Sequence, residues 1–243
     1  VNPLFFGDPE ESLFGIYTPS RGIVGRKGAV LCPPIGQEAL VSHRSLKILS
    51  ERLADAGLDV LRFDYFGTGD SAGDNRSGGP ERWRGDVRTA VDKLRELAGV
   101  RQVVLVGLRL GGLLAAAAQA RSISQLVLWD PLLRGRDYIT EIEPLANKDC
   151  GEWEVLGFPF SPRLRDELEQ LDIAHVERLP RDVRIVITQE PAAVDRLRQG
   201  FAARNTRVEI EHVAGPPVWI EERALGLGAL PVGILRQIVG WAQ

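Results

Sequence analysis

Apolar runs alternate with amphipathic segments along most of this chain, and the alternation predicts its elements. Two short apolar stretches open it, Leu4–Gly7 and Leu13–Thr18, with no helical segment after either, which predicts an antiparallel lead-in at a sheet edge. A regular rhythm then sets in. Gly28–Cys32 is an apolar run closed by Pro33-Pro34, so it reads as a strand and then a loop. Ser42–Ala56 carries apolar residues at helical spacing (Leu46, Ile48, Leu49, Leu53) and stops at Gly57. A strand over Asp59–Phe63, a helix over Pro80–Leu97, a strand over 103–107 and a helix over 110–120 follow. Gln125–Trp129 and Arg184–Thr188 are strands, Pro191–Arg204 a helix, Arg207–His212 a strand, and Pro231–Ala242 a closing helix with proline suited to its first position.

Strands and helices in strict turn predict an α/β domain built on a mostly parallel sheet with helices on both faces. The long interruption between the sixth and seventh strands, 131–182, exceeds what a plain loop spans in a compact domain. It predicts a short, helical cap over the sheet's carboxyl edge, where open α/β sheets bind ligands. There is no internal repeat and no low-complexity linker, so residues 1–243 read as one domain with 131–182 as its cap region.

The turn at Gly107-Leu108-Arg109-Leu110-Gly111-Gly112 changes the picture most. A buried strand leads into it and an Ala/Leu-rich helix leaves it, the frame of a G-x-S-x-G nucleophile elbow. Glycines at 107 and 111 let strand and helix approach closely. The central position holds Arg109, whose guanidinium stays protonated and has no lone pair with which to attack a carbonyl.

Two further stretches join this one. Cys32-Pro33-Pro34-Ile35-Gly36-Gln37-Glu38 follows the third strand, and Asp64-Tyr65-Phe66-Gly67-Thr68-Gly69-Asp70-Ser71 follows the fourth. In this order and spacing the three resemble the α/β-hydrolase superfamily over nearly the whole chain. The opening Pro3-Leu4-Phe5-Phe6-Gly7 together with these motifs is similar to the small hydrolase-like proteins labelled exosortase-system-associated, with relatives near thiotemplate natural-product genes. The resemblance implies an α/β-hydrolase fold, an oxyanion-type amide from the loop at Gln37, and a context in natural-product or exopolysaccharide biosynthesis.

Carried over position by position, it also implies a broken triad. Arg109 occupies the nucleophile's place. The acid falls at Glu190 after the seventh strand or at Asp130 after the sixth. The histidine's place, in Val213-Ala214-Gly215-Pro216-Pro217, holds proline, and His212 lies too early, within a strand. An acid alone cannot run serine chemistry. Ser71 sits in a glycine turn where hydroxyls bond the backbone, and Cys32 and His175 are weaker candidates still.

The electrophilic alternative is coherent. Arg109 at a helix amino end would hold a carboxylate, phosphate or enolate bidentately. Gln37 and the Leu110 amide would polarise a carbonyl, and Glu190, Asp130 or His43 would move a proton. Glu38, Trp219 and Glu154 complete the expected substrate-binding set. The opposite expectation is that Asp130 or Glu190 simply neutralises Arg109.

Three functions follow: an enzyme without a covalent serine intermediate, acting on an acyl, ester or thioester substrate, free or carrier-bound (isomerisation, cyclisation, elimination or decarboxylation); a non-catalytic binding or scaffold pseudo-hydrolase; or a hydrolase with an atypical nucleophile or activated water.

Composition narrows the partners. The chain is 44% hydrophobic and 26% charged, enough to bury a large core, and a net charge of −3 argues against nucleic acid as a partner. No apolar run is long enough for a membrane span. No signal-peptide pattern opens the chain, so a cytoplasmic location is expected. Cys32 and Cys150 form no metal-ligand pattern, and no phosphate-loop motif calls for a cofactor. Self-association into a homo-oligomer stays open.

Overall fold

The structure is a computed structural model that describes residues 1–22, 27–120, 122–148, 152–188, 192–202, 206–220 and 230–243. Its lead-in strands β1 (Asn2–Phe6) and β2 (Leu13–Thr18) pair antiparallel, as the opening pattern predicts. Parallel strands β3 (Lys27–Cys32), β4 (Asp59–Phe63), β5 (Gln102–Leu108) and β6 (Ile123–Trp129) follow. Helices α1 (Gly36–Asp55), α2 (Pro80–Ala98) and α3 (Leu110–Ala117) connect them. After the cap come β10 (Asp182–Ile187), α6 (Ala192–Ala202), β11 (Arg207–His212) and α7 (Val232–Ala242). The eight strands lie in the order β1-β2-β4-β3-β5-β6-β10-β11.

Side-chain alternation splits the core in two. Ala29, Leu31, Val60, Val104 and Val106 face α1 and α7, against Leu49, Leu53, Ile234 and Ile238. Val30, Leu61, Val103 and Leu105 face α2, α3 and the cap. Period-2 strands buried on both faces produce this division directly. No helix among the described residues is long and apolar enough to cross a membrane.

Three expectations need correction. Helix α1 begins at Gly36, six residues before the first turn of the apolar stripe, because Gln37, Glu38, Ala39 and Leu40 are good helix formers and Glu38 suits the positive amino end. Helix α3 ends at Ala117, with Gln119 in a left-handed conformation just beyond. The cap is not simply helical. It carries α4 (Gly135–Ile142) and α5 (Pro162–Glu169), and also a three-stranded antiparallel sheet of β7 (Ala146–Asn147), β8 (Trp153–Val155) and β9 (Phe158–Phe160). Val155 pairs with Phe158 across the two-residue turn Leu156-Gly157, both at positive φ (51° and 89°), the conformation that tight hairpins require.

Candidate active site

Strand β5 delivers Arg109 to the carboxyl edge, and helix α3 starts one residue later. A Cβ at Gly107 would overlap Gly112, and one at Gly111 would overlap the carbonyl oxygens of Pro33 and Cys32. These two glycines therefore let β5, α3 and the loop after β3 pack in direct backbone contact. Arg109 caps α3 with φ 53° and ψ −123°, a conformation rare for a side chain this large. Its N–H donates to the Trp129 carbonyl at 3.0 Å, and its own carbonyl accepts from Gly112 at 3.0 Å, which hold the turn. The first amides of α3, that of Leu110 among them, lie beside it at the helix's positive end.

The Arg109 guanidinium is enclosed, its side chain 7% exposed. Its Nε and one terminal nitrogen donate to Glu38 Oε1 at 3.4 and 3.3 Å, and the same terminal nitrogen pairs with Glu141 of α4. The guanidinium also lies over the Trp219 ring, 5.0 Å from its carbon to the ring centre. The second terminal nitrogen donates to no described residue. Arg109 lines a cleft of about 480 Å³ walled by the segment after β6, by α4 and by α6.

Glu38 is the unusual carboxyl here. Its second oxygen is buried and accepts no hydrogen bond from any described residue. Burial pushes its pKa up to about 7, Arg109 pulling it down and Glu141 adding to the rise. The Glu141 side chain is half exposed. The fully buried Tyr138 phenol beside them is held well above its ordinary range, first by burial and then by Glu38.

The other sequence candidates scatter. Asp130 lines the same cleft but does not pair with Arg109. Its two oxygens accept from the Thr188 N–H at 2.7 Å and the Thr188 hydroxyl at 2.8 Å. Burial raises its pKa against those two bonds. Among the described residues Glu38 and Glu141, not Asp130, pair with Arg109. Glu190 lies outside the described residues, as does Cys150. His43 is exposed on α1 and faces a different cleft, together with Arg62 and Asp64.

Gln37 sits half-buried in the first turn of α1, one residue before Glu38. Trp219 both roofs Arg109 and packs in the core under α7. Glu154 is exposed on β8 and lines neither cleft, because strand alternation turns it away from the buried Val155. Ser71 donates to the Asp64 carbonyl at 2.6 Å and accepts from the Phe14 N–H at 2.8 Å, as a turn serine does. His175 and His212 are exposed. Cys32 is fully buried, and burial pushes its thiol far up, so it is inert.

This geometry has clear relatives. A family model described as serine aminopeptidase, S33, matches residues 41–204, from α1 through the elbow and the cap to α6. The chain belongs to the serine aminopeptidase S33 family. Its solved neighbours share the α/β-hydrolase fold at low identity. Est1E from Butyrivibrio proteoclasticus superposes with a TM-score of 0.68 at 14% identity, covering 100% of this S33 chain and 96% of its own. Alpha/beta hydrolase domain-containing protein 10 from mouse gives 0.62 at 19% identity, with 99% and 96% covered. DcsB, solved with its substrate analogue, gives 0.70 at 15% identity, with 99% and 98% covered. No curated protein sequence matches it significantly.

Proposed function

We propose that Arg109 stands where this fold carries its nucleophile, and that the protein is an enzyme that works without a covalent serine intermediate. The observation that carries this reading is the pairing of Arg109 with Glu38: a fixed cation in hydrogen-bond contact with a carboxyl that titrates near neutrality. A cation beside a proton carrier is the equipment for enolate-type chemistry. Arg109 holds the negative charge of an acyl, ester or thioester substrate, and the half-exposed Glu141 gives way to it. Glu38 moves the proton, taking the role expected of Glu190, Asp130 or His43. Isomerisation, cyclisation, elimination and decarboxylation all fit, and a role in natural-product or exopolysaccharide biosynthesis is consistent with the motifs.

A second reading is favoured by one specific observation. Two carboxylates and an indole ring already engage Arg109, as they would in a plugged pseudo-hydrolase that only binds partners.

The test is turnover of a panel of acyl thioesters and aryl esters across pH 5–9, with products identified by mass spectrometry. The expected rate rises through about pH 7, and Glu38→Gln lowers it by roughly two orders of magnitude, in the range of general-base loss. Equal rates in wild type and Glu38→Gln would remove Glu38 from the mechanism, and silence in both favours the pseudo-hydrolase.

A further inference from the structure

A second cleft, of about 560 Å³, opens on the α1 side of the sheet, away from Arg109. Its floor follows from strand register. Arg62 of β4 pairs laterally with Ile16 of β2 and Leu31 of β3, and it shares its face with Val60, which packs under α1. The side chain therefore rises from an otherwise apolar floor. Leu40 and His43 of α1 form one wall, and Phe158 of the cap hairpin stands over Gly36 at the mouth. Leu40 is 64% exposed, a large apolar side chain left open at the rim.

Arg62 is the unexplained group. It is partly buried, its Nε is fully buried, and it makes no hydrogen bond or ion pair with any described residue. Asp64 and Glu51 act on it electrostatically without forming an ion pair, and Asp64 Oδ2 accepts the Asp70 N–H at 3.0 Å within the glycine turn. Partial desolvation in the cleft and then Arg62 lower the pKa of His43, with Asp64 opposing them. A guanidinium whose buried Nε has no partner favours an anion that enters the cleft and supplies one.

We infer that this cleft binds a small monocarboxylate with an apolar body, its carboxylate on Arg62 and its hydrocarbon against Leu40, Ile16 and Phe158. The site is separate from the elbow cleft and does not depend on the function proposed there. A neutral amide of the same shape lacks the charge that Arg62 answers, so the two ligands separate charge recognition from simple apolar filling.

The experiment is titration of the full chain with benzoate and with benzamide by isothermal calorimetry and ligand-observed NMR. Benzoate is expected to bind about tenfold more tightly than benzamide, the worth of a charge-assisted hydrogen bond. Arg62→Gln is expected to abolish that preference, and Arg109→Gln to leave it intact. Leu40→Glu, at an exposed position that folding does not need, places a like charge at the mouth and is expected to weaken benzoate by a similar factor. Equal binding of benzoate and benzamide, no benzoate binding at millimolar concentration, or a preference lost in Arg109→Gln and kept in Arg62→Gln overturns the assignment.

Discussion

Arg109 and Arg62 each stand near the carboxyl end of a central strand, and each lines a cleft. Arg109 meets Glu38, Glu141 and Trp219, and a strained turn fixes its backbone. Arg62 sits in regular strand geometry and has no hydrogen-bond or ion-pair partner among the described residues. The difference shows where this fold invests structure. Around Arg109, backbone contacts, two carboxylates and a ring converge from α1, α4 and the segment after β11. Around Arg62 an apolar floor meets a rim that carries His43, Asp64 and Asp70, and no side chain among the described residues hydrogen-bonds the guanidinium.

The largest effect is expected where backbone contacts bring α1 up to Arg109. Gly111→Ala drives a methyl group into the Pro33 and Cys32 carbonyls and should cost about 5 kcal/mol or prevent folding, as measured by urea denaturation. Next comes the cation itself. Arg109→Ala strands an enclosed carboxylate and should cost about 4 kcal/mol at pH 8, less at pH 6 where Glu38 takes up a proton. Arg62→Met removes an unpartnered charge and should be neutral or stabilising. A large loss at Arg62 would erase the contrast between the two sites.

Glu38 then gives a pH signature. Its folded pKa is raised, so its contribution is fully present below about 4.5 and is lost as pH rises through about 7. Wild type should therefore lose roughly 3 kcal/mol more than Glu38→Gln between pH 4.5 and 8, read from unfolding free energies. The smallest loss around Arg109 belongs to the ring. Trp219→Phe weakens the stacking on Arg109 and should cost about 1 kcal/mol.

The sequence made the elbow legible because its demands are local. An apolar strand, two glycines and an Ala-rich helix can pack only one way, and Arg109 stands at the turn they create. Glu38 was visible as a member of the loop after β3, yet its contact with Arg109 needed α1 to start at Gly36, before the apolar stripe begins. Glu141 was not legible. It is one of several carboxylates in a 52-residue interruption (131–182), and only the placement of α4 selects it.

The cap hairpin did leave a signal, the alternation of Trp153, Val155, Phe158 and Phe160 around Leu156-Gly157, and that alternation turns Glu154 outward. Arg62 also left one, as the single charged residue within the apolar run Val60–Phe63, on the face that Val60 buries.

The most direct test of the central claim is turnover of the acyl thioester panel by wild type, Arg109→Lys and Glu141→Ala, with folding verified and intact mass recorded. If Arg109 holds the substrate's negative charge through its planar fork, Arg109→Lys loses most activity, Glu141→Ala keeps or gains it, and no acyl-enzyme mass accumulates. Turnover unchanged in Arg109→Lys, or an acyl adduct on a serine, contradicts the account.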